Sequence, residues 1–81
     1  MKTLNELSPG ERAFIVDMRN SQLCQKLFSA GIFPGSVVEV QKNDLRADSI
    51  VVTINNQTFI LLKKAAESIL TNSVTFELSM N

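Results

Sequence analysis

Few side chains in this chain of 81 residues could do covalent or acid–base chemistry, and their spacing does not favour it. There is no histidine, the side chain that most often moves protons near neutral pH. Ser21, Ser29 and Ser36 therefore have no base to activate them, and no glycine-rich loop leads into a helix to cradle phosphate. Cys24 is the single cysteine and falls on an apolar helical stripe, where a thiol acts as a small core residue. Asp44 and Asp48 lie near each other in a polar stretch, but no Glu-x-x-His or Cys-x-x-Cys spacing supplies metal ligands around them. Arg12, Arg19 and Arg46 could stabilise charge in a partner's site, although solvated surface arginine is the simpler reading. The expectation is a protein that is not an enzyme, holds no cofactor or resident metal, and works by binding.

Composition narrows what it could bind. Eight basic and eight acidic side chains cancel, so the counterion release that drives nucleic-acid binding is missing and nucleic acid is not an expected partner. A chain of this length has room for one core, giving a single domain over residues 1–81. One cysteine allows no disulfide framework, the N-terminus lacks the apolar stretch of a signal peptide, and no apolar run could span a bilayer. A cytoplasmic protein without membrane insertion is expected.

The elements that position these residues can be read along the chain. Ser8-Pro9-Gly10-Glu11 has the residues of a type II turn, with proline presetting φ and glycine accepting a positive φ. From Glu11 to Met18 a strand alternates Ala13 and Ile15 with Phe14 and Val16; both faces are apolar, which predicts cover on both sides. Asn20 or Ser21 can cap a helix of about three turns, whose stripe is Leu23, Cys24, Leu27 and Phe28. Gly31 stands where a left-handed stop is wanted, Ile32 would fold back onto Leu27, and Pro34 forbids continuation. After Pro34-Gly35, Val38 and Val40 alternate with Glu39 and Gln41. Lys42 to Ser49 is polar, with Leu45 as its one large apolar residue, and reads as an exposed loop. Ile50, Val52 and Ile54 face inward, Asn55-Asn56 can supply a tight hairpin turn, and Gln57 to Leu62 returns antiparallel. Lys63 to Leu70 has helical composition, Asn72-Ser73 breaks it, and Val74, Phe76 and Leu78 alternate as a last strand. The prediction is mainly β: a small curved barrel of about five strands, one short helix between the first two, and a helical turn before the last.

The segment Gln25 to Gly35, QKLFSAGIFPG, resembles the leucine-rich helix, Gly, apolar, Pro-Gly signature of the FeoA family, small accessory proteins of bacterial ferrous iron transport. Pro9 to Ala13 resembles that family's entry into its first strand, Leu45 to Ile50 its "Leu-Gly-Asp-Pro-Ile" loop, and Phe59 to Glu67 its final strand and turn. The sequence departs from the pattern at Ala30, where a larger aliphatic residue is usual. It departs again at Ala47 and Ser49, in place of the loop's Gly and Pro, and at Asn55-Asn56, a turn that often carries glycine. The resemblance implies an SH3-like barrel, a cytoplasmic location and a partner in the membrane GTPase-transporter FeoB. Two other readings remain: a metal-responsive domain like the C-terminal domain of iron- or manganese-dependent repressors, and a general SH3-like interaction module.

Peptide docking on an aromatic groove is not expected, because the chain has no Trp and no Tyr. Candidate partner-binding residues are Phe33, at the helix-to-turn corner, and Leu45, Arg46 and Asp48 in the polar loop, with Gly31, Pro34 and Gly35 shaping the corner. Phe33 is either an exposed contact residue or a lid over the barrel mouth. Val74 to Leu78 could pair at a sheet edge with a partner or with a second copy of the chain.

Overall fold

The computed structural model describes residues 1–74. Its elements in chain order are β1 (Lys2–Thr3), a 3-10 turn (Leu4–Glu6), β2 (Arg12–Met18), α1 (Ser21–Ser29), β3 (Val37–Lys42), β4 (Ser49–Ile54), β5 (Gln57–Leu62), α2 (Lys63–Ala66) and β6 (Ile69–Ser73). All pairings are antiparallel within one sheet of order β1-β6-β2-β3-β4-β5. The sheet curls around its apolar face, and α2 packs against the 3-10 turn, β4 and β5 where its two ends approach. This is the mainly β, SH3-like architecture expected, with six strands instead of five.

Local chemistry sets the turns. Glu11 N–H donates to Ser8 O at 3.0 Å with Gly10 at φ +88°, and Ser36 N–H donates to Phe33 O at 3.0 Å with Gly35 at φ +99°. Both are the Pro-Gly type II turns expected. Asn55 and Asn56 take φ +53° and +63°, the pair of positive values that a two-residue hairpin needs to match strand twist. Asn20 caps α1, its side-chain oxygen accepting from Leu23 N–H at 3.0 Å. The helix ends in a Schellman motif: Gly31 N–H donates to Phe28 O at 2.9 Å and Ile32 N–H to Leu27 O at 2.8 Å, with Gly31 at φ +81°.

The core gathers one face of every long strand: Ala13, Ile15 and Met18 from β2, Val38 and Val40 from β3, Ile50, Val52 and Ile54 from β4, Leu61 from β5, and Ile69 from β6. Leu4, Leu7, Leu27 and Ile32 cover it from the turn and helix sides. Each such side chain contributes about 1.5–3 kcal/mol on burial.

The structure corrects several expectations. β2 is covered on one face only, since Phe14 and Val16 are exposed. A bulge between Ile15 and Asp17 resets the strand's parity, so Met18 turns inward and Asp17 outward. The stripe of α1 is narrower than its spacing suggested: Leu27 is buried, Leu23 and Cys24 are half-buried, and Phe28 is exposed. The short helical turn expected within Lys63 to Leu70 is α2, four residues long, but Asn72 and Ser73, expected to break the helix, belong to Ile69–Ser73, the last described strand. That segment is claimed by the ladder between β1 and β2, where Ile69 and Thr71 are buried and Thr71 Oγ1 donates to Lys2 O at 2.9 Å. Of the strand expected over Val74 to Leu78 only Val74 is described, its N–H donating to Arg12 O at 3.1 Å, and the other residues lie outside the described ones.

Candidate partner-binding surface

The helix-to-turn corner is built by the Schellman stop followed at once by the Pro34-Gly35 turn. These two reversals send Ile32 fully into the core and leave the adjacent Phe33 half exposed. Phe33 is therefore a surface residue and no lid. Its ring meets that of Phe28 with centroids 5.1 Å apart and planes inclined at 31°, an aromatic pair on the outside of the domain. The corner is held rigidly. Ser36 Oγ accepts from Phe33 N–H at 3.1 Å, and Gly35 N–H and Ile15 O join at 2.7 Å, tying the turn to β2 beside Val16. The β4–β5 hairpin braces it from the other side, Asn55 Nδ2 donating to Gly31 O and Gln57 Nε2 to Ala30 O, each at 3.2 Å. Exposed apolar surface on a backbone fixed from two directions suits recognition, because little ordering remains to be done on binding.

Leu45 is 96% exposed, and Arg46 and Asp48 are exposed beside it. Their loop has its own order. Asp44 accepts the N–H of Arg46 at 2.9 Å through its carboxylate and that of Ala47 at 3.1 Å through its carbonyl. Lys63 Nζ donates to Asp44 O, Lys63 N–H to Asp48 O at 2.8 Å, and Asn43 Nδ2 to Leu7 O at 2.7 Å. Leu45 is thus displayed at the tip of a loop anchored at both sides.

The structure does not bring the two candidates together. The corner sits against the turn of the β4–β5 hairpin, and the loop against its open end at Ser49 and Lys63. Five strand rises separate those ends, roughly 17 Å. Between them lie two exposed residues that the sequence reading missed, Ile60 at 74% and Leu62 at 64%. Their signal was available: pairing the inward Ile50 and Val52 across the Asn-Asn turn sends Leu61 and Phe59 inward, and so Ile60 and Leu62 outward.

A shallow cleft of about 260 Å³ lies between Arg12, Glu39, Thr53 and the Asn55-Asn56 turn. Its one ion pair, Arg12 Nε to Glu39 Oε1 at 3.9 Å, is solvent-exposed and gives little hold on a ligand. Among the described residues no three His, Cys, Asp or Glu side chains cluster so as to hold a metal ion, and no helix is long and apolar enough to cross a membrane. Cys24 is a half-buried free thiol.

Known proteins resemble this chain in both sequence and shape. A protein titled iron uptake regulatory protein (FeoA) superposes with a TM-score of 0.76 at 25% identity, over 90% of this chain and 96% of that one. Iron(II) transport protein A from Clostridium thermocellum is 35% identical with a TM-score of 0.79, over 91% of this chain and 46% of that one. A manganese-dependent transcriptional repressor matches with a TM-score of 0.79 at 24% identity, over 90% of this chain and 41% of that one, a likeness of fold alone. No curated protein sequence matches the chain. The FeoA domain family matches residues 2–72, taking in the corner, the loop and all six strands except for Ser73 at the end of β6. With a family match over nearly the whole described chain, this chain belongs to the FeoA domain family.

Proposed function

We propose that this protein is a non-catalytic accessory factor of ferrous iron uptake that works in the cytoplasm by binding a FeoB-type membrane GTPase-transporter. The observation that carries the reading is family membership across residues 2–72, together with relatives titled iron uptake regulatory protein and iron(II) transport protein A. The Phe28–Phe33 corner is the contact in this reading, because it combines exposed aromatic area with a backbone braced on both sides. Leu45, Arg46 and Asp48, at the far end of the β4–β5 hairpin, lie outside a compact footprint centred there.

The test is an NMR titration of labelled protein with the soluble GTPase domain of the same organism's FeoB-type transporter, with and without a GTP analogue. Shifts at Phe28, Phe33 and Gly35 that vanish in Phe33→Ala support the proposal. Shifts confined to Leu45 and Arg46 would move the contact to the loop. A spectrum unchanged at high concentration would remove the GTPase domain as the partner.

A further inference from the structure

The two edges of the sheet are guarded very differently. β1, at one edge, is two residues long, too short to template another strand. β5, at the other, has six residues, QTFILL, with no charge and no proline. Its register with β4 runs unbroken from Ile54–Gln57 to Ser49–Leu62, whereas the β2–β6 and β3–β4 pairings both carry bulges. Short length, charge, proline and bulges are the usual means of keeping an edge from pairing, and β5 uses none of them.

The hairpin turn decides which groups this edge presents. A two-residue loop makes Ile54–Gln57 a hydrogen-bonded pair, so Gln57, Phe59 and Leu61 turn their backbone groups to β4, while Thr58, Ile60 and Leu62 turn theirs outward. Outside the β4–β5 ladder, no backbone bond among the described residues reaches the N–H or C=O of Thr58 or Ile60. The outward triplet is symmetric about Ile60.

We infer that β5 pairs antiparallel with β5 of a second copy across a two-fold axis at Ile60, joining the two sheets edge to edge. In this register Ile60 faces Ile60 of the partner copy and exchanges both backbone bonds with it, and Thr58 faces the other copy's Leu62. The charges are compatible with this register. Lys63 and Lys64 of each copy fall opposite the neutral Gln57 and Asn56, so no lysine faces a lysine. A two-fold at Leu62 would set Lys63 against Leu61 and Lys64 against Ile60 and run the strand into α2, and one at Thr58 would spend half the pairing on the Asn55-Asn56 turn. Only Ile60 as centre uses the whole strand. The contact is a small edge-to-edge one, of the size that associates weakly and reversibly.

Light scattering on the full chain over a concentration series tests this, together with engineered cysteines in a Cys24→Ala background. A dimer fraction that rises with concentration is expected, and Ile60→Lys should be monomeric with an unchanged thermal melt, since the side chain is already exposed. Opposed Ile60→Cys residues lie about 5.5 Å apart between Cα atoms, within disulfide reach. Thr58→Cys residues are about 13 Å apart in this register. Mild oxidation should therefore crosslink the first and leave the second single. Equal crosslinking of the two, a dimer that survives Ile60→Lys, or a monomer at NMR concentrations would each overturn the proposal. So would a dimer formed only after truncation behind Val74, which would make the chain's own residues 75–81 the cover of the edge. Protection of the Ile60 amide only on adding the transporter's soluble domain would assign the edge to that partner instead.

Discussion

Replacing Gly31 separates backbone strain from packing with unusual clarity. Gly31 sits at φ +81°, and a Cβ built on it would meet no atom within 4 Å. Any loss on substitution is therefore conformational and involves no clash. An L-residue held in the left-handed region costs about 1–2 kcal/mol, so Gly31→Ala is expected to lose about 1 kcal/mol net of its stiffer unfolded chain. Gly31→Val, β-branched and more restricted there, should lose about 2–3 kcal/mol. Gly31→Asn should lose least, because asparagine enters this region readily. For a domain of this size each kcal/mol lowers Tm by about 4–8 °C. Total stability at this length is about 4–12 kcal/mol, so the valine variant removes a large share of it. Calorimetric melts of the three variants should rank Asn, Ala, Val in increasing damage. The reasoning fails if Val leaves Tm unchanged, or if Asn costs as much as Val, which would locate the loss in packing. The corner should report the same perturbation, since Ile32 N–H and Gly31 N–H close the motif that places Phe33 beside Phe28.

Other outcomes follow from neighbouring geometry. Ile32→Ala should lose about 2–5 kcal/mol, because its fully buried side chain leaves a cavity, whereas Phe33→Ala, half exposed, should lose about 1 kcal/mol or less while abolishing GTPase-domain binding; urea melts and the NMR titration separate the two. Asn56→Gly should raise Tm by about 2–5 °C, since glycine adopts φ +63° without strain in this hairpin turn. Glu6 accepts from the Thr3 hydroxyl at 2.7 Å and from Thr3 N–H at 3.0 Å, and these bonds hold its carboxyl below the ordinary 4.5. Stability from this lowered group is present above pH 4.5 and lost as pH falls through the folded value, so the Tm advantage over Glu6→Gln should shrink in acid.

The parts of this fold that were legible along the chain are those governed by neighbouring residues. The Pro9-Gly10 and Pro34-Gly35 turns, the Asn20 cap, the Gly31 stop and the Asn55-Asn56 hairpin all appear where short-range sterics put them. The candidate surface was legible in part. Leu45 is exposed because a polar loop offers it no core, and Phe33 because two tight reversals separate it from Ile32. Asn72 and Ser73 misled because turn-forming residues express a weak local preference, and pairing between β1 and β2 outweighed it.

By itself, then, the sequence determined where the chain must turn and which residues alternate, since φ limits and period-two patterning act within a few residues. Tertiary structure decided which strands became edges, that Phe14, Val16, Ile60 and Leu62 face outward, and that Phe33 and Leu45 stand at opposite ends of one hairpin. Those outcomes depend on pairing between segments far apart along the chain, on bulges that reset which side chains point inward, and on how the curved sheet closes over its core. No local preference encodes them.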